Sequence, residues 1–533
     1  MNTKDTSILK STGIMTVATL LSRLTGLVRT WAMAFALGNT LITSAYQVAN
    51  NMPNVIFDLV AGGILGTAFL PVYLLEREKQ GAKGSDAFAS NILNIFLVGL
   101  GAISLLATIF APQVISTQTF TVSSDAEVFE YAVLFFRVFA IQILFYGLGG
   151  VITGILNANR IYGVPALAPA VNNIVTIISF FAYVPLSHTN PQLALIVLAV
   201  GTTLGVFAQF VVQIPTLLKM GFTYVARIDL HDPALKEALR IALPTLIYVA
   251  GTLVSFSCRN AFSLQTGDEG PATLLYAWTW YQLPYGVVAV SLSTAFLTEM
   301  SAAVARKDLA SLRIYVEKGL RSTLFIIIPL AGLMFSLAGP IIQIFRAGAF
   351  DQEAVQLVST ILALWVISLP FYAGQMYFYR VFASLRQFMT FATITCVLCV
   401  VQILLYKVLT PANVLGLAGI PIADLIYFVL QFFITSFILK KRIGSFGFKG
   451  LLVMCVKVSI ATAAGMIVAS SILPFIPLPE STLGGLVKIT ICGIAGLLVI
   501  FFITKLLHIP EMEVAVSSFS RLLNKFKKSD AAN

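Results

Sequence analysis

Apolar runs of roughly twenty residues recur along the whole chain, each followed by a short polar stretch, and each run is long enough to cross a bilayer as a helix. Spans are predicted at 11–36, 42–74, 87–111, 126–155, 162–187, 192–217, 241–264, 271–301, 319–339, 351–384, 387–409, 413–439, 450–474 and 485–507. The first run contains Arg23 and Arg29 and ends in no small-residue cleavage site, so it is expected to remain as a helix rather than leave as a signal peptide. The fold class that follows is an all-α polytopic membrane protein of about fourteen transmembrane helices.

The pattern repeats. Asp125, Glu127, Phe145, Tyr146 and Arg160 occur in the order in which Asp351, Glu353, Phe371, Tyr372 and Arg386 follow 226 residues later. Met52-Pro53 with Thr67-Ala68-Phe69-Leu70 is echoed by Leu283-Pro284 with Thr294-Ala295-Phe296-Leu297. Six-span blocks repeated in the same orientation relate by an axis along the membrane normal, and such transporters bind cargo between their lobes. The expected division is an N-lobe at 1–218, a C-lobe at 219–445, two further helices at 446–510 and a basic cytoplasmic tail at 511–533.

Composition agrees: 58% of the 533 residues are hydrophobic and 11% charged, against about 25% charged in soluble domains. The net charge of +11 raises nucleic acid as a partner, but its distribution argues against one. Lys and Arg gather in alternate loops, at Lys79 and Lys83, Lys219 to Arg240, Arg306 to Arg321, Lys440 to Lys449, and Arg521 to Lys528. That is the positive-inside pattern, with both termini cytoplasmic in a bacterial inner membrane. The five cysteines all lie in apolar runs. Cys396 and Cys399 form a C-x-x-C inside a predicted helix, without further ligands, and read as buried apolar residues. His188, His231 and His508 are isolated, so neither metal nor cofactor is expected.

Candidate chemistry lies where polar groups are expensive. In the first span Ser22, Arg23, Thr25, Gly26, Arg29 and Thr30 share the side opposite Leu21, Leu24, Leu27 and Val28. In the second, Ser44, Gln47, Asn51, Asn54 and Asp58 are spaced three or four apart and form one stripe. The seventh carries Thr252, Ser255, Arg259 and Ser263 on one face, and the eighth offers Thr279, Gln282 and Ser293. A mid-membrane Arg costs about 2.5–3.5 kcal/mol on the insertion scale, so Arg23, Arg29 and Arg259 would together cost roughly 8–10 kcal/mol. With Asp58 the one evident acid among the stripes, the expected pocket is hydrated and positive, which suits a pyrophosphate gripped by Arg. The bland readings stand beside this one. The arginines snorkel or pair with Asp58 to hold the bundle. Arg137, Glu299 and Asp424 are structural pairs or helix-end groups, and Lys457 and Lys488 reach the surface. Gly62 and Gly66 mark close helix packing. Trp278, Trp280, Tyr281 and Tyr285 either stack on a sugar or pack.

Several runs resemble the MurJ (MviN-type) lipid II flippases of the multidrug/oligosaccharidyl-lipid/polysaccharide exporter superfamily: Leu21-Ser22-Arg23 with Gly26 and Arg29, Met52-Pro53-Asn54, Ala68-Phe69-Leu70-Pro71, Pro165-Ala166-Leu167-Ala168-Pro169 with Asn172, Gln282-Leu283-Pro284-Tyr285-Gly286-Val287, and Arg346-Ala347-Gly348-Ala349-Phe350. Their order along the chain carries the resemblance. It implies a two-lobed carrier that moves lipid II, an undecaprenyl-pyrophosphate-linked peptidoglycan precursor, from the inner to the outer leaflet by alternating access. It implies a role for Arg23 and Arg29 beside Ser22, and a groove for the polyprenyl tail at the last two helices. The partners implied are lipid II or a similar lipid-linked pyrophosphate, bilayer lipids and peptidoglycan synthesis proteins. The chain departs from the family where Thr30, Phe57, Trp278-Thr279 and Gln282 stand in place of charged residues. Arg259 is then a candidate to restore one positive charge.

The substrate-binding set expected is therefore Ser22, Arg23, Arg29, Asn51, Asn54, Asp58, Arg259, Thr279 and Gln282. No nucleotide-binding motif, paired catalytic carboxylates or nucleophile triad is evident, so an enzyme is not expected. The rival functions are a cation-coupled multidrug exporter, a flippase for another lipid-linked oligosaccharide, and a membrane scaffold that moves nothing.

Overall fold

The structure, a computed structural model, describes residues 3–512, with the side chains of 3–17, 66, 67 and 244 left aside. The expected basic tail from 513 onward and the packing expected of Gly66 therefore lie outside the described residues. The described residues form helices joined by short links, with no strand among them. Helices α1 (Thr3–Leu37) and α2 (Leu41–Phe57) lead into two π-helical turns, Asp58–Gly62 and Ile64–Ala68. Then come α3 (Phe69–Ile109), α4 (Ala111–Thr119), α5 (Glu127–Phe139), α6 (Gln142–Ala158), α7 (Gly163–Thr189), α8 (Pro191–Val211) and α9 (Ile214–Lys219). Next are α10 (Pro233–Leu264), α11 (Gly270–Pro284), a π-helical turn at Tyr285–Ala289, α12 (Val290–Ala305), α13 (Leu309–Ser336) and α14 (Ala338–Gln343). The chain closes with α15 (Gln352–Val366), α16 (Leu369–Ser384), α17 (Phe388–Leu409), α18 (Gly419–Ile443), α19 (Phe448–Ile472) and α20 (Thr482–Leu506).

Among the described residues nine helices are long and apolar enough to cross a membrane, and up to twelve if each bent pair is one span. The expected fourteen are thus not all resolved as separate helices. One reason is visible in α3, which runs on through the loop expected near residue 80 and breaks its helical geometry only at Gly81 (φ 70°).

The duplication seen in the residues recurs in the backbone. Helices α5 and α6 meet at a 44° bend, and α15 and α16, 226 residues on, at 52°. The helix after each bend ends on an arginine in the left-handed region, Arg160 (φ 63°) and Arg386 (φ 56°). Each is followed by a residue whose N–H returns to the carbonyl five back, Ile161 to Leu156 and Gln387 to Phe382, a Schellman-type stop built on a non-glycine residue. The π-helical turns also recur, after Pro53 in one half and directly after Pro284 in the other. A proline deletes one backbone donor, and a widened turn takes up the resulting misfit.

The chain forms two compact units. The first holds residues up to Leu275 with Gly348–Asp351 and Tyr406–Asn413; the second holds Tyr276–Ala347, Gln352–Leu405 and Val414 onward. Within the first, α1 packs on α7 and α7 on α8, while α10 packs on α4 and on the second π-helical turn. The segment at Gly348–Asp351 docks on the end of α1. Ala349 N–H donates to Phe35 O (2.9 Å), and a Cβ on Gly38 (φ +66°) would stand 2.4 Å from Ala349 O.

The link between α9 and α10 is also fastened inside the first unit. It is extended, and one face of α3 carries it. Asp86 accepts the Thr223 N–H (3.0 Å) and Ser90 accepts that of Val225 (3.1 Å). Asn91 accepts the Asp229 N–H and donates to its carbonyl, both at 2.8 Å. Asn94 donates to Val225 O (2.9 Å) and Arg227 O (3.0 Å). These side chains give the linker backbone the partners that a neighbouring strand would supply.

Candidate functional site

The polar stripes sit on half-exposed faces. On α2, Ala45, Val48, Ala49, Met52 and Pro53 are buried, whereas Gln47, Asn51 and Asn54 are half-buried, as is Asp58 at the start of the π-helical turn. Ser44 departs from the stripe: it is fully buried, and its Oγ accepts the Ala272 N–H (3.2 Å), capping α11. On α1, Arg23 is exposed and Arg29 half-buried. Ser22 and Thr25 face α7, where Asn173 Nδ2 donates to Thr25 Oγ1 (3.0 Å) and to Ser22 O (3.3 Å). Asn173 therefore fixes the rotation of α1 about its own axis.

Arg29 and Asn54 both act on Tyr146 of α6. The phenol lies beside Asn54 and within reach of the Arg29 charge, and the Phe57 ring stands 6.1 Å from it. Phe57, Tyr146, Gln209 and Gln213 line a cavity of about 200 Å³. Among the described residues no ion pair within 4 Å engages Arg23, Arg29 or Asp58. The bland reading, an arginine locked to Asp58, therefore has no counterpart in this structure. Asn51 Nδ2 is buried without a hydrogen-bond partner in the described residues. The Arg29 guanidinium and the unpaired Asn51 amide donor are groups that suit an anion, with the Asp58 carboxylate nearby on the stripe as a counterweight.

Arg259 stands elsewhere in the same unit. Its guanidinium lies over the Phe256 ring at 4.8 Å, a cation–π contact. Its turn of α10 is fixed to α4, where Gln118 bonds Ser257 and accepts from Asn260 Nδ2 (2.9 Å). Thr279 and Gln282 belong to the second unit, Thr279 half-buried and Gln282 exposed. The nearby aromatic residues are packing groups. Tyr281 is fully buried and bonds Ser368 Oγ (2.8 Å); Trp278 stacks on it at 4.9 Å and meets Trp365 at 5.0 Å. Trp280 turns instead towards Phe345, 6.0 Å away.

Two groups missed from the sequence are Tyr146 and Asn173. In the sequence Tyr146 stands out only as a repeat marker; its link to Arg29 and Asn54 is visible only in the structure. Asn173, one residue past Asn172, was a detectable polar break in an apolar span. Asp424 is structural: buried in α18, it accepts from Trp365 Nε1 (2.8 Å) and Gln402 Nε2 (2.7 Å). Lys457 donates to Leu507 O (2.9 Å) and so ties α19 to the end of α20.

The sequence profile of the family described as "Lipid II flippase MurJ" matches residues 33–477. Lipid II flippase MurJ of Burkholderia cenocepacia is 27% identical over 356 residues, 66% of this chain and 68% of that one. The probable lipid II flippase MurJ of Borreliella burgdorferi is 24% identical over 81% of this chain and 83% of its own. A solved structure of a lipid II flippase MurJ in an inward closed conformation covers 93% of this chain and 98% of that one, with a TM-score of 0.75 and 23% identity. An inward-facing multidrug resistance MATE family transporter of the MOP superfamily follows with a TM-score of 0.66 and 16% identity, covering 80% of this chain and 94% of its own. At these identities the structural likeness speaks for the fold alone.

Proposed function

Since the chain belongs to the MurJ family of lipid II flippases, we propose that it carries lipid II from the cytoplasmic to the outer leaflet of a bacterial inner membrane. The observation that carries this reading is the pair of α1 arginines, Arg23 and Arg29, which sit on a half-exposed polar face with no acid within 4 Å among the described residues. A pyrophosphate is the complementary group: it presents several acceptor oxygens to paired guanidinium donors. Asn51 and Asn54 add neutral donors, and Ser22 is held beside Arg23 through Asn173.

In the mechanism we favour, access alternates, the two basic side chains take the pyrophosphate, and its charge leaves with the field. An inside-negative potential favours outward movement of an anion by about 2.3 kcal/mol per charge per 100 mV. Asp58, one turn beyond Asn54 on the same stripe, keeps the site from holding its cargo too tightly. Thr279 and Gln282 are second-unit candidates for polar contact with the head group, and Arg259 for long-range attraction. Of the two last helices expected to hold the polyprenyl tail, α19 lines an apolar groove of about 360 Å³ with α13, α16 and α18, walled by Phe371, Phe432, Phe433 and Leu451, and we assign the tail there, although α20 does not line it. Counting α1 and the stretch from α2 to Gly81 as separate spans brings the total to fourteen. The basic loops then put both termini in the cytoplasm.

The test is transport by the purified protein in liposomes loaded with fluorescent lipid II, read by quencher access to the outer leaflet. Protein-dependent exposure of lipid II is expected. Dye efflux without any lipid movement would favour the multidrug exporter and sink the proposal; no movement of either would favour a scaffold.

A further inference from the structure

A second cavity, of about 330 Å³, opens at the end of the second unit where the basic residues gather. Its walls come from three parts of the chain. Arg321 stands on α13, Lys449, Val453 and Lys457 on α19, and Ile509 and Pro510 on the segment after α20. Lys449, Val453 and Lys457 are four residues apart, so they share one face of α19 and span about 12 Å of its axis. The cavity is therefore a slot with a cation at each end, Arg321 beside it and an apolar wall between.

The charges are unequal. Arg321 pairs with Glu317 (3.5 Å) and with Glu511, which leaves donors on its five-donor guanidinium. Lys457 commits one of its three N–H donors to Leu507 O (2.9 Å). Lys449 is exposed and engages no acid within 4 Å among the described residues. Three cations thus face two carboxylates, both of which are already turned to Arg321.

The slot continues into a lipid-facing stripe. Val453, Val456, Ile460 and Ile467 are 56%, 52%, 57% and 67% exposed and lie on the outer side of α19 at helical spacing. The groove proposed for the polyprenyl tail uses Leu451, Cys455 and Ser459. Those positions are two residues out of phase with Lys449, Val453 and Lys457, about 200° round the helix. The two cavities flank α19 on opposite sides.

We propose that this slot binds the phosphate-bearing head group of an anionic phospholipid, whose acyl chains run up the Val453–Ile467 stripe. A cationic recess between membrane helices next to an apolar stripe is the chemistry that selects such a lipid over a zwitterionic one. The stripe distinguishes a lipid from free phosphate, which would gain nothing from it. A bound lipid joins α13 and α19 through one phosphate, with Ile509 and Pro510 as an apolar wall. The proposal does not depend on what the protein transports. Its placement in the cytoplasmic leaflet rests on the orientation proposed above.

The experiment is native mass spectrometry on the full-length purified protein titrated with phosphatidylglycerol, with phosphatidylcholine of matched chains, and with inorganic phosphate. Wild type should retain phosphatidylglycerol in preference to phosphatidylcholine. Lys449→Gln should weaken that retention about fivefold, the effect of one basic residue at an anionic surface. Lys457→Gln should weaken it further. Val397→Ala, on the exposed face of α17, should leave it unchanged. Equal retention of the two lipids, or of phosphatidylglycerol by wild type and Lys449→Gln, would overturn the proposal. So would release of the lipid by millimolar phosphate, which would make this a free-anion site. Should Lys457→Gln not fold, Lys449→Gln still decides, because that side chain is exposed and forms no ion pair within 4 Å among the described residues.

Discussion

Arg29→Gln separates a working arginine from a structural one, because the two roles move stability and transport in opposite senses. Arg29 is half-buried on α1, its charge reaches the Tyr146 phenol, and no acid forms an ion pair with it within 4 Å among the described residues. Removing one partner of a buried ion pair costs about 3–5 kcal/mol, but there is no such pair here to break. Gln also relieves an insertion penalty of about 2.5–3.5 kcal/mol. The variant should therefore melt at or above the wild-type temperature. Transport should fall, since each hydrogen bond to a charged group is worth about 1.5–3 kcal/mol, a loss of roughly 10- to 100-fold in affinity for the pyrophosphate. Arg23 is exposed, where a single pairing is worth about 0.2–1 kcal/mol, so Arg23→Gln should cost roughly fivefold or less. The assay is initial flipping rate against lipid II density in liposomes, with melting followed on the same preparations. Wild-type transport by Arg29→Gln, or a melting temperature lowered by many degrees, would refute the reasoning.

Three further outcomes follow from local geometry. Gly465→Val should lower the melting temperature by an amount corresponding to about 1–3 kcal/mol, because even a Cβ at Gly465 would stand 2.8 Å from Gly496 O and 2.5 Å from Ile500 Cγ1, where α19 crosses α20. Asn91→Ala removes two hydrogen bonds to the Asp229 backbone, about 2 kcal/mol in all, so hydrogen exchange across 223–232 should speed up by roughly 30-fold. At the start of α13, Asp308 accepts the Ser311 N–H (3.0 Å), and hydrogen bonds from Ser311 hold its carboxyl below the ordinary 3.8. A lowered folded-state value means the cap stabilises above the unfolded pKa and is lost as pH falls through the folded one. Exchange of the Ser311 amide should therefore rise only at pH below 3.8.

The helical membrane class and most of the spans, nine to twelve of the expected fourteen among the described residues, are legible because bilayer thickness demands long apolar runs, and such runs survive in composition whatever packs against them. The 226-residue offset marks α5–α6 and α15–α16 as equivalent, but the bend in each, expected as one unbroken span, is visible only in the structure. The π-helical turns could not be read from the sequence either: Pro53 marks a disturbance, but whether the misfit is taken up as a kink or a widened turn depends on neighbours such as Leu246, which closes on Gly63. The α2 stripe was legible as a period, yet Ser44 was misassigned to it, because its bond to Ala272 joins residues 228 apart. Periodicity ranks faces and does not name partners. The same limit left Trp278 and Tyr281 undecided between a sugar platform and a packed core, a choice that Ser368 and Trp365 make and the linear spacing cannot. The Asp86, Ser90 and Asn94 spacing of four was present in the sequence as a polar face at a helix end. It went unread because its ligand is backbone, which has no signature of its own.

The repeat therefore preserved a backbone and divided the chemistry. Where α6 of the first half offers Tyr146 to Arg29 and Asn54, the matching helix of the second half, α16, offers Tyr372 to Tyr285 at 4.8 Å and to Phe428 at 5.0 Å. The neighbouring acid of the second half, Asp424, is satisfied by Trp365 and Gln402, whereas Asp58 of the first half is half-buried and bonded to no cation within 4 Å among the described residues. A dry, fully bonded network resists rearrangement, because each broken bond strands a buried polar group at about 1–3 kcal/mol. A half-hydrated stripe exchanges water for ligand at little cost. On the proposed function, the half-hydrated first-repeat stripe is the place for head-group recognition, while the bonded Asp424 network supplies rigidity. Substitutions at Asn51 or Asn54 should alter which head groups are carried, while substitutions at Trp365 or Asp424 should alter whether the protein folds.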